Sequence, residues 1–556
     1  MDKLTQKLVP VYEALAQDIK AMGVEVAFGL ISDDTALFVA TLDAIGIQFH
    51  GSRHENTAIA MADGYAAATG KLGVAVLGRG PATANAMHAA TYAQRSRSGV
   101  LMIFGDAALQ PPAHGCGPDL KAFDAVGALR AAGLEPFVTR DAQSARQVLA
   151  QAFSAAQAGA AALLLPTDVQ RASIDLSTTA PTIAPPPNAV RRPPRKTALT
   201  AASALLAQSK RPLIIAGWGA YEAGARDDLM ALAEHLGAAL STTLKAKDLF
   251  HGHPMDCGLV GSYAHAGGRR LIEQADCILA FGASLNGRTT SMGNAIPTEV
   301  PVIHIDSSGS SIGRWLAVDV AMVADARLAA QALLEAVPAR RPEDKEFQGE
   351  PYRSWLDGFT LDKDFTPQPT PRTVDARAAA LALNDILPRK RNVVYDAGNF
   401  LQALPYLTVP DPRSIRQATD FASIGLGIGA ALGYARGEPD ATTVLVIGDG
   451  SLLMTLGELE TVVREDIPLV VILMNDAAYG AEVHFLKLQN MPTAKTTFLD
   501  IDFAPIAEAL GFQTATVRSM QELEQLAPML RNPEGPVLID VKINGSVPVG
   551  WLFDEK

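Results

Sequence analysis

The chain has 556 residues, of which 48% are hydrophobic and 19% are charged, so it is too long for a single hydrophobic core. A chain of this length predicts roughly three or four domains of about 150 residues each. Its 47 basic and 59 acidic residues give a net charge of -12, which argues against a nucleic-acid partner. No apolar run approaches the roughly 18 residues of a membrane helix, and the first residues lack the apolar core of a signal peptide. We therefore expect a cytoplasmic protein with no membrane partner.

Two changes in composition predict the domain boundaries. Residues 178–196 are rich in proline, which disfavours both helix and sheet, and residues 338–351 are polar and charged. With these segments as linkers, we predict three domains over residues 1–180, 197–338 and 372–556.

Each predicted domain alternates short aliphatic runs with alanine-rich helical stretches. The runs are VEVAFGL, GVAVLG, GVLMIFG and AALLLP in the first domain, PLIIAG, CILAFG and VPVIHID in the second, and NVVYDAG, TVLVIG, LVVILM and PVLIDV in the third. Continuous apolar runs between helices are typical of parallel strands that are covered on both faces. The pattern predicts an α/β protein with three doubly wound parallel-sheet domains.

In the first domain, a candidate acid lies where a polar stretch passes into an alanine-rich helix. Glu55 follows GSRH and precedes NTAIAMADGYA, and GRGPATANAMHAATYAQ comes next. An isolated glutamate at a helix start is usually only a cap that interacts favourably with the helix dipole. The position of Glu55 alone therefore does not indicate a function.

In the third domain, VIGDGSLLMTLGELETVVREDIPLVVILMNDAAYG reads as a strand, a helix and a second strand. The spacing of Leu456, Leu459, Val462 and Val463 predicts that the helix covers residues 453–465. Asp449 and Asn475 then end two parallel strands, where open α/β sheets bind ligands. A carboxylate and an amide oxygen are hard ligands of the kind Mg²⁺ takes together with phosphate, although a Gly-Asp-Gly tripeptide by itself is more often a simple turn.

Together, these motifs resemble the thiamine diphosphate-dependent enzymes over nearly the whole chain. The metal-binding signature of that family begins with Gly-Asp-Gly and ends with an Asn about thirty residues later. The resemblance implies a pyrimidine-binding domain, a middle Rossmann-like domain and a diphosphate-binding domain, in that order. It further implies that Asp449, Asn475 and the backbone carbonyl of Ala477 hold Mg²⁺, although many relatives have a second Asn where this chain has Asp476.

The same resemblance implies a set of cofactor contacts. Glu55 corresponds to the glutamate that activates the cofactor through its aminopyrimidine ring, and Ile424 to the apolar residue beneath the two rings. The remaining candidates for cofactor binding are Asn85, Gly398, Asn399, Phe400, Ala422, Gly450 and Ser451.

The motifs resemble most closely those of acetolactate synthases and benzaldehyde lyase. This implies a carboligase or lyase that acts on 2-keto acids, aldehydes or acyloins; a simple 2-keto-acid decarboxylase is the alternative. The loop FGLISDD lacks the Pro-Gly or the His of many relatives, and a lysine lies near their active-site Gln, where it either attracts a carboxylate or faces solvent. Candidate substrate-pocket residues are Ile31, Ser32, Lys121, Tyr479, Glu482 and Trp551.

Other functional classes are less well supported by the sequence. A flavin- or nicotinamide-linked oxidoreductase would need a dinucleotide fingerprint, and AGWGAYEAG in the second domain does not supply one. FGASLNGRTTSMGN lies where some relatives bind FAD or another nucleotide, which leaves such a ligand possible but unsupported. The resemblance also implies a homo-oligomer, at least a dimer and more specifically a dimer of dimers, because the cofactor in that family lies between two subunits.

Overall fold

The computed structural model describes residues 8–110, 119–176, 191–297, 299–418 and 420–550. Three α/β domains follow one another along the chain, and each is built on a six-stranded parallel sheet flanked by helices. The predicted fold class is thus confirmed. Within the described residues, no helix is both long and apolar enough to cross a membrane.

The first domain has its sheet strands in the order β3-β2-β4-β5-β7-β6, and a short antiparallel pair, β1 and β8, joins its two ends. Its strands are β1 (Leu8–Pro10), β2 (Val26–Gly29), β3 (Gln48–Gly51), β4 (Gly73–Leu77), β5 (Val100–Asp106), β6 (Phe137–Val138), β7 (Ala161–Pro166) and β8 (Ser173–Asp175). Its helices are α1 (Val11–Ala21), α2 (Ala36–Ala44), α3 (Glu55–Thr69), α4 (Pro81–Ser96), α5 (Ala125–Ala131), α6 (Ala142–Ala156) and α7 (Thr167–Arg171).

The middle domain has the strand order β11-β10-β9-β12-β13-β14, which is the Rossmann-like order. Its strands are β9 (Pro212–Ala216), β10 (Ala239–Thr242), β11 (Asp256–Leu259), β12 (Cys277–Phe281), β13 (Val302–Asp306) and β14 (Val320–Val323). Its helices are α8 (Lys196–Gln208), α9 (Trp218–Glu222), α10 (Arg226–Leu236), α11 (Ala266–Ile272), α12 (Gly287–Thr290) and α13 (Ala326–Ala336). The polar segment 338–351 packs back on this domain, since Phe347 is fully buried, and α14 (Tyr352–Asp357) follows it.

The third domain repeats the strand pattern of the first, in the order β16-β15-β17-β18-β20-β19. Its strands are β15 (Arg391–Tyr395), β16 (Ile415–Gln417), β17 (Thr442–Gly448), β18 (Leu469–Asn475), β19 (Gln513–Val517) and β20 (Val537–Lys542). Its helices are α15 (Ala376–Ile386), α16 (Gly427–Gly437), α17 (Asp449–Met454), α18 (Glu458–Arg464), α19 (Gly480–Leu488), α20 (Ala504–Leu510), α21 (Met520–Gln525) and α22 (Ala527–Arg531).

The strand order places a topological switch point in both the first and the third sheet. In the first sheet the chain leaves β2 toward β3 on one side and returns to β4 on the other; in the third it does the same around β15, with β16 and β17. A crevice opens at the carboxyl ends of the strands at such a point, and ligands bind there. The loops after β2 and β4, and after β15 and β17, therefore border the expected ligand-binding crevices.

The predicted helix over residues 453–465 is wrong in its extent. The structure begins a helix earlier, at Asp449, ends it at Met454, and starts a separate helix at Glu458. Thr455 has a non-helical backbone conformation and its N–H bonds the carbonyl of Leu452, so the chain turns between the two helices. Of the four apolar residues that predicted one helix, Leu459, Val462 and Val463 lie on α18, and Leu456 lies in the turn before it.

Helices α3 and α16 join the first and third domains at very short range. A Cβ added to Gly64 would overlap the carbonyl oxygen of Ala430, and one added to Gly433 would overlap that of Met61. Such contact needs glycine at both positions, because any larger residue would force the two backbones apart. The partly buried ion pair between Arg416 and Asp63 adds a polar connection across the same interface.

Candidate active site

The carboxyl edge of the third sheet carries the predicted metal ligands. Asp449 is the first residue of α17, directly after β17, and Asn475 is the last residue of β18. Because β17 and β18 are adjacent and parallel, with Gly448 opposite Met474, the two side chains emerge side by side. Both are buried, with 3% and 2% of their surfaces exposed.

Asp476 adds a second carboxyl group at this edge. Its side chain contacts that of Asp449, and burial, followed by the charge of Asp449, raises the pKa of Asp476. Burial likewise raises the pKa of Asp449. Two carboxyl groups in contact can share either a proton or a cation, so the donor chemistry here fits a divalent metal ion.

The other predicted metal ligands are held in place by the surrounding backbone. Asn475 donates its amide N–H to Asp540 Oδ1 at 3.0 Å, while its Oδ1 accepts the N–H of Ala477 at 3.1 Å. Ala477 itself has a left-handed conformation with φ of 54°, and its carbonyl oxygen accepts the N–H of Phe498 at 2.7 Å. A carbonyl oxygen has two lone pairs, so this bond leaves one for a metal ion.

Asp396, which the sequence reasoning did not single out, organises the neighbouring loop. It follows β15 and is completely buried, and its carboxylate accepts the backbone N–H groups of Ala397, Gly425 and Gly427 at 2.7 to 3.2 Å. It also contacts the hydroxyl of Ser451. The sequence does contain a signal for this residue: Asp396 directly follows the apolar run NVVY, just as Asp449 follows an apolar run of its own.

The predicted diphosphate contacts lie around this buried carboxylate. Asn399 and Phe400 begin a 3-10 helix after Gly398, so their N–H groups have no partner within that helix. The Asn399 side chain instead binds the backbone of Val547 and Val549. Ser451 is also committed, since its oxygen accepts the N–H of Gly425 at 2.9 Å, and the N–H of Gly450 bonds the Asp449 carboxylate.

Ile424 and Ala422 lie on the loop that Asp396 holds. Ala422 is exposed and has φ of 51°, whereas Ile424 is half-buried. Because Ile424 is only half-buried and the next residue, Gly425, is bonded to Asp396 and Ser451, its side chain keeps an accessible face on a fixed loop. The role that the resemblance implies for it, support of a ring system, needs such a face.

Glu55 lies at the carboxyl edge of the first sheet, where α3 begins. The residue is 8% exposed, and its Oε2 accepts a hydrogen bond from the side-chain amide of Asn85 at 3.1 Å. His54 caps the same helix, with its ring nitrogen accepting the N–H of Asn56. Glu55 and Asn85, the two residues predicted to serve the cofactor in this domain, are therefore in direct contact.

A cavity of about 170 Å³ opens beside Glu55. Its walls come from loops that follow β2, β3, β4 and β5, at the switch point of the first sheet. The lining residues are Leu30, Ile31, Ser32, Glu55, Arg79, Pro81, Ala82 and Lys121. All of them belong to the first domain, and the set includes three of the predicted pocket residues; Arg79 was not predicted.

The remaining pocket candidates lie near the third-domain site or beyond the described chain. Tyr479 is 38% exposed, and its ring stacks edge-on with Phe498 and lies against Gly450. Glu482 is exposed on α19. Trp551 falls outside the described residues.

Comparison with known protein families identifies all three domains. The N-terminal TPP binding domain of thiamine pyrophosphate enzymes matches residues 10–126, the central domain matches residues 199–333, and the C-terminal TPP binding domain matches residues 396–541. The chain belongs to the thiamine diphosphate-dependent enzymes. The N-terminal match contains Glu55 and Asn85, and the C-terminal match contains Asp449 and Asn475.

Similar proteins place this thiamine diphosphate enzyme in the acetolactate synthase-like branch. It is 28% identical to a probable acetolactate synthase large subunit of Methanocaldococcus jannaschii, over 96% of this chain and 91% of that protein. It is 26% identical to the acetolactate synthase isozyme 2 large subunit of Escherichia coli, over 95% and 94%. It is 28% identical to a sulfoacetaldehyde acetyltransferase of Roseovarius nubinhibens, over 92% and 88%. The protein is therefore an enzyme of the class that forms or cleaves C–C bonds.

Proposed function

We propose that the protein is a thiamine diphosphate- and Mg²⁺-dependent carboligase or lyase that acts on 2-keto acids, aldehydes or acyloins. The observation that carries the proposal is the donor set at the third sheet: the Asp449 and Asp476 carboxyl groups, the Asn475 amide oxygen and the Ala477 carbonyl. Hard oxygen donors of this kind suit Mg²⁺ that also binds a diphosphate. When bound, thiamine diphosphate supplies a carbon nucleophile for addition to a carbonyl group.

The residues of the first domain would control the proton on the cofactor. Glu55, oriented by Asn85 at 3.1 Å, would hold a proton at the aminopyrimidine ring. Its buried position keeps that proton from exchanging freely with water. Ile424 would support the rings from the third domain, and the backbone of residues 398–400 and 450–451 would bind the diphosphate.

We further propose that the active site is completed by a second copy of the chain in a homo-oligomer, specifically a dimer of dimers. Every described residue that lines the cavity beside Glu55 comes from the first domain, whereas the proposed metal ligands are in the third. A cofactor that contacts both groups would lie between the first domain of one protomer and the third domain of its partner.

The names of the relatives support small anionic carbonyl compounds as substrates. Acetolactate carries a carboxylate, and sulfoacetaldehyde carries a sulfonate. A 2-keto acid, an aldehyde with an acidic group, or both are therefore the substrates to test first.

The alternative is a decarboxylase that releases an aldehyde. The two functions differ in whether the donor fragment is protonated or joined to a second carbonyl compound. The similarity to acetolactate synthases and to a sulfoacetaldehyde acetyltransferase favours joining.

The test is a product analysis. The purified protein is incubated with thiamine diphosphate, Mg²⁺ and pyruvate or another small 2-keto acid, with and without an acceptor aldehyde. An acetohydroxy acid or acyloin that disappears on chelation of the metal would support the proposal. Aldehyde as the sole product in every case would support the decarboxylase.

A further inference from the structure

The cavity beside Glu55 has two cationic side chains in its wall. Lys121 and Arg79 line it, whereas the carboxylates that pair with them, Asp33, Asp34 and Asp119, are not among its lining residues. Apart from Glu55 and Ser32, the other described residues of the wall are apolar: Leu30, Ile31, Pro81 and Ala82. The wall of the cavity therefore offers positive charge to a small ligand.

Lys121 is fixed from two directions. Its backbone carbonyl lies against Gly80, where a Cβ would overlap that oxygen and where φ is 61°, so only glycine suits the position. Its ammonium group lies 3.3 Å from Asp34 Oδ1 and 3.4 Å from Ser32 Oγ. Asp34 has a side chain only 3% exposed and also accepts the backbone N–H of Arg79 at 2.6 Å. Asp34 is thus a rigid anchor for Lys121.

The second partner of Lys121 is of a different kind. Asp33 also pairs with the ammonium group, but its side chain is 80% exposed. The hydrogen bond from Lys121 is the main reason that the pKa of Asp33 falls to about 2, so Asp33 is ionised at any working pH. An exposed ion pair contributes little to stability because water competes with it. An anion inside the cavity could therefore replace Asp33 at low cost, while Asp34 stays in place.

We propose that Lys121, anchored by Asp34, binds the carboxylate or sulfonate of a carbonyl substrate in this cavity, and that Asp33 is the counterion which this group replaces. Arg79 supplies a second positive charge to the same subsite. The inference rests on the proposed function and specifies which substrates the site selects. Lys121 is thus a specificity-determining residue, not one that takes part in bond making.

The main experiment is a competition between two acceptors in one reaction. The holoenzyme receives pyruvate as donor together with glyoxylate, which is anionic, and glycolaldehyde, which is neutral and of similar size. Because both acceptors compete for the same donor-loaded enzyme, the ratio of the two products is independent of cofactor loading and of the active fraction. A parallel reaction replaces glyoxylate with sulfoacetaldehyde and so distinguishes carboxylate from sulfonate.

Four variants give opposed expectations. Lys121→Met lowers the ratio of anionic to neutral product about tenfold, the size of effect expected for loss of a charge-assisted hydrogen bond. Lys121→Arg keeps the charge and retains most of the preference, and Asp33→Asn raises the ratio because it removes the competing carboxylate. Lys71→Met is the control, since Lys71 lies on the same domain in an exposed pair with Glu25 at 2.7 Å. Equal ratios for wild type and Lys121→Met overturn the proposal.

A binding measurement keeps the proposal separate from the proposed function. Oxamate is a pyruvate isostere with an unreactive amide carbonyl, and its affinity for the cofactor-loaded protein can be measured by calorimetry. Lys121→Met should weaken oxamate binding about tenfold and Lys71→Met should not. If no product forms but Lys121→Met still weakens oxamate binding, only the carboligase function is refuted. Normal product formation with equal oxamate binding by wild type and Lys121→Met would refute only the anion subsite.

Discussion

Glu55 and Asp449 are both buried carboxylic acids at the carboxyl edge of a parallel sheet, but their contacts differ. Glu55 accepts one hydrogen bond from a neutral amide, that of Asn85. Asp449 contacts a second carboxyl group and lies beside an amide and a carbonyl oxygen. The first environment suits a group that holds or shares a proton, and the second suits a group that holds a metal ion.

This difference predicts separate effects of two substitutions. Glu55→Gln should retain thiamine diphosphate but lower turnover by about a hundredfold or more, as expected for loss of a positioned proton-transfer group. Asp449→Ala should lose affinity for the cofactor and the metal. Calorimetric titration with thiamine diphosphate and Mg²⁺ is paired with an activity assay, and Glu25→Gln is an exposed control on the first domain. Unchanged turnover for Glu55→Gln would mean that the role assigned to Glu55 is wrong.

A second residue-scale prediction concerns Asp256 in the middle domain. Burial, and further the neighbouring charge of Asp248, raise its pKa from the ordinary 3.8 to about 6, although the N–H of Gly258 and the nearby side chains of His251 and Lys247 oppose the shift. The native state thus binds this proton more tightly than the unfolded state does. The free energy of unfolding therefore decreases as the pH rises from about 4 to about 6, because the native state loses this proton over that range.

Asp256→Asn should therefore stabilise the protein at pH 8, by about 2 kcal/mol, and have little effect at pH 4. The Asn side-chain oxygen can still accept the N–H of Gly258, which Asp256 accepts at 2.9 Å. The measurement is the calorimetric melting temperature across this pH range, with Asp227→Asn as control because that side chain is 91% exposed. A gap in melting temperature that stays constant with pH would contradict the assignment.

The site residues show what a sequence can and cannot predict at this scale. Asp449, Asn475 and Glu55 lie next to strongly apolar runs or in a recognisable motif, so the sequence singles them out. Asp396 and Arg79 act through contacts that only the fold creates: a buried carboxylate among three backbone N–H groups, and a side chain in the wall of the cavity. Asp396 also follows an apolar run, but that position does not reveal that its carboxylate accepts backbone N–H groups, and nothing near Arg79 in the sequence places its side chain in a cavity wall.

At the scale of elements, the central strands other than β10 follow from their composition, and the edge strands do not. The eleven apolar runs named above all form strands, because a strand with neighbours on both sides and helices on both faces must be apolar throughout. The edge strands β3, β11 and β19 each pair with a single neighbouring strand, and they contain polar or glycine residues. Their sequences carry no comparable signal.

The contact between α3 and α16 predicts a large effect of one methyl group. In an isolated helix Gly→Ala is stabilising by about 1 kcal/mol, but a Cβ on Gly64 would overlap the backbone of Ala430. The clash should dominate, so Gly64→Ala should destabilise the protein by about 1 to 3 kcal/mol. Gly457→Ala is the control, since a Cβ there would lie 3.9 Å from its nearest neighbour. A melting temperature for Gly64→Ala at or above that of the control would show that the helices are not packed this closely.

At the scale of the whole molecule, the first and third domains are built alike and have different tasks. Both sheets have the same strand order and both have a switch point at their carboxyl edges. The first offers Glu55 and a cationic cavity, and the third offers oxygen ligands for a metal. In the proposed function each domain therefore supplies half of the site, and a cofactor that bridged the halves of two protomers would make assembly a condition of activity.

This arrangement predicts complementation between two inactive variants. In a mixed dimer of Glu55→Gln and Asp449→Ala protomers, one site receives Glu55 from the second variant and Asp449 from the first, so it is intact, while the other site lacks both. Random reassembly then restores about a quarter of the wild-type activity per protomer, because each site draws its two halves independently from the mixture. A mixture of Glu55→Gln and Glu55→Ala, in which both lesions lie in the same domain, should restore none. If mixed oligomers form, as verified by purification through two different tags, yet activity stays at the level of the single variants, the two halves of the site belong to the same chain and the intersubunit arrangement is wrong.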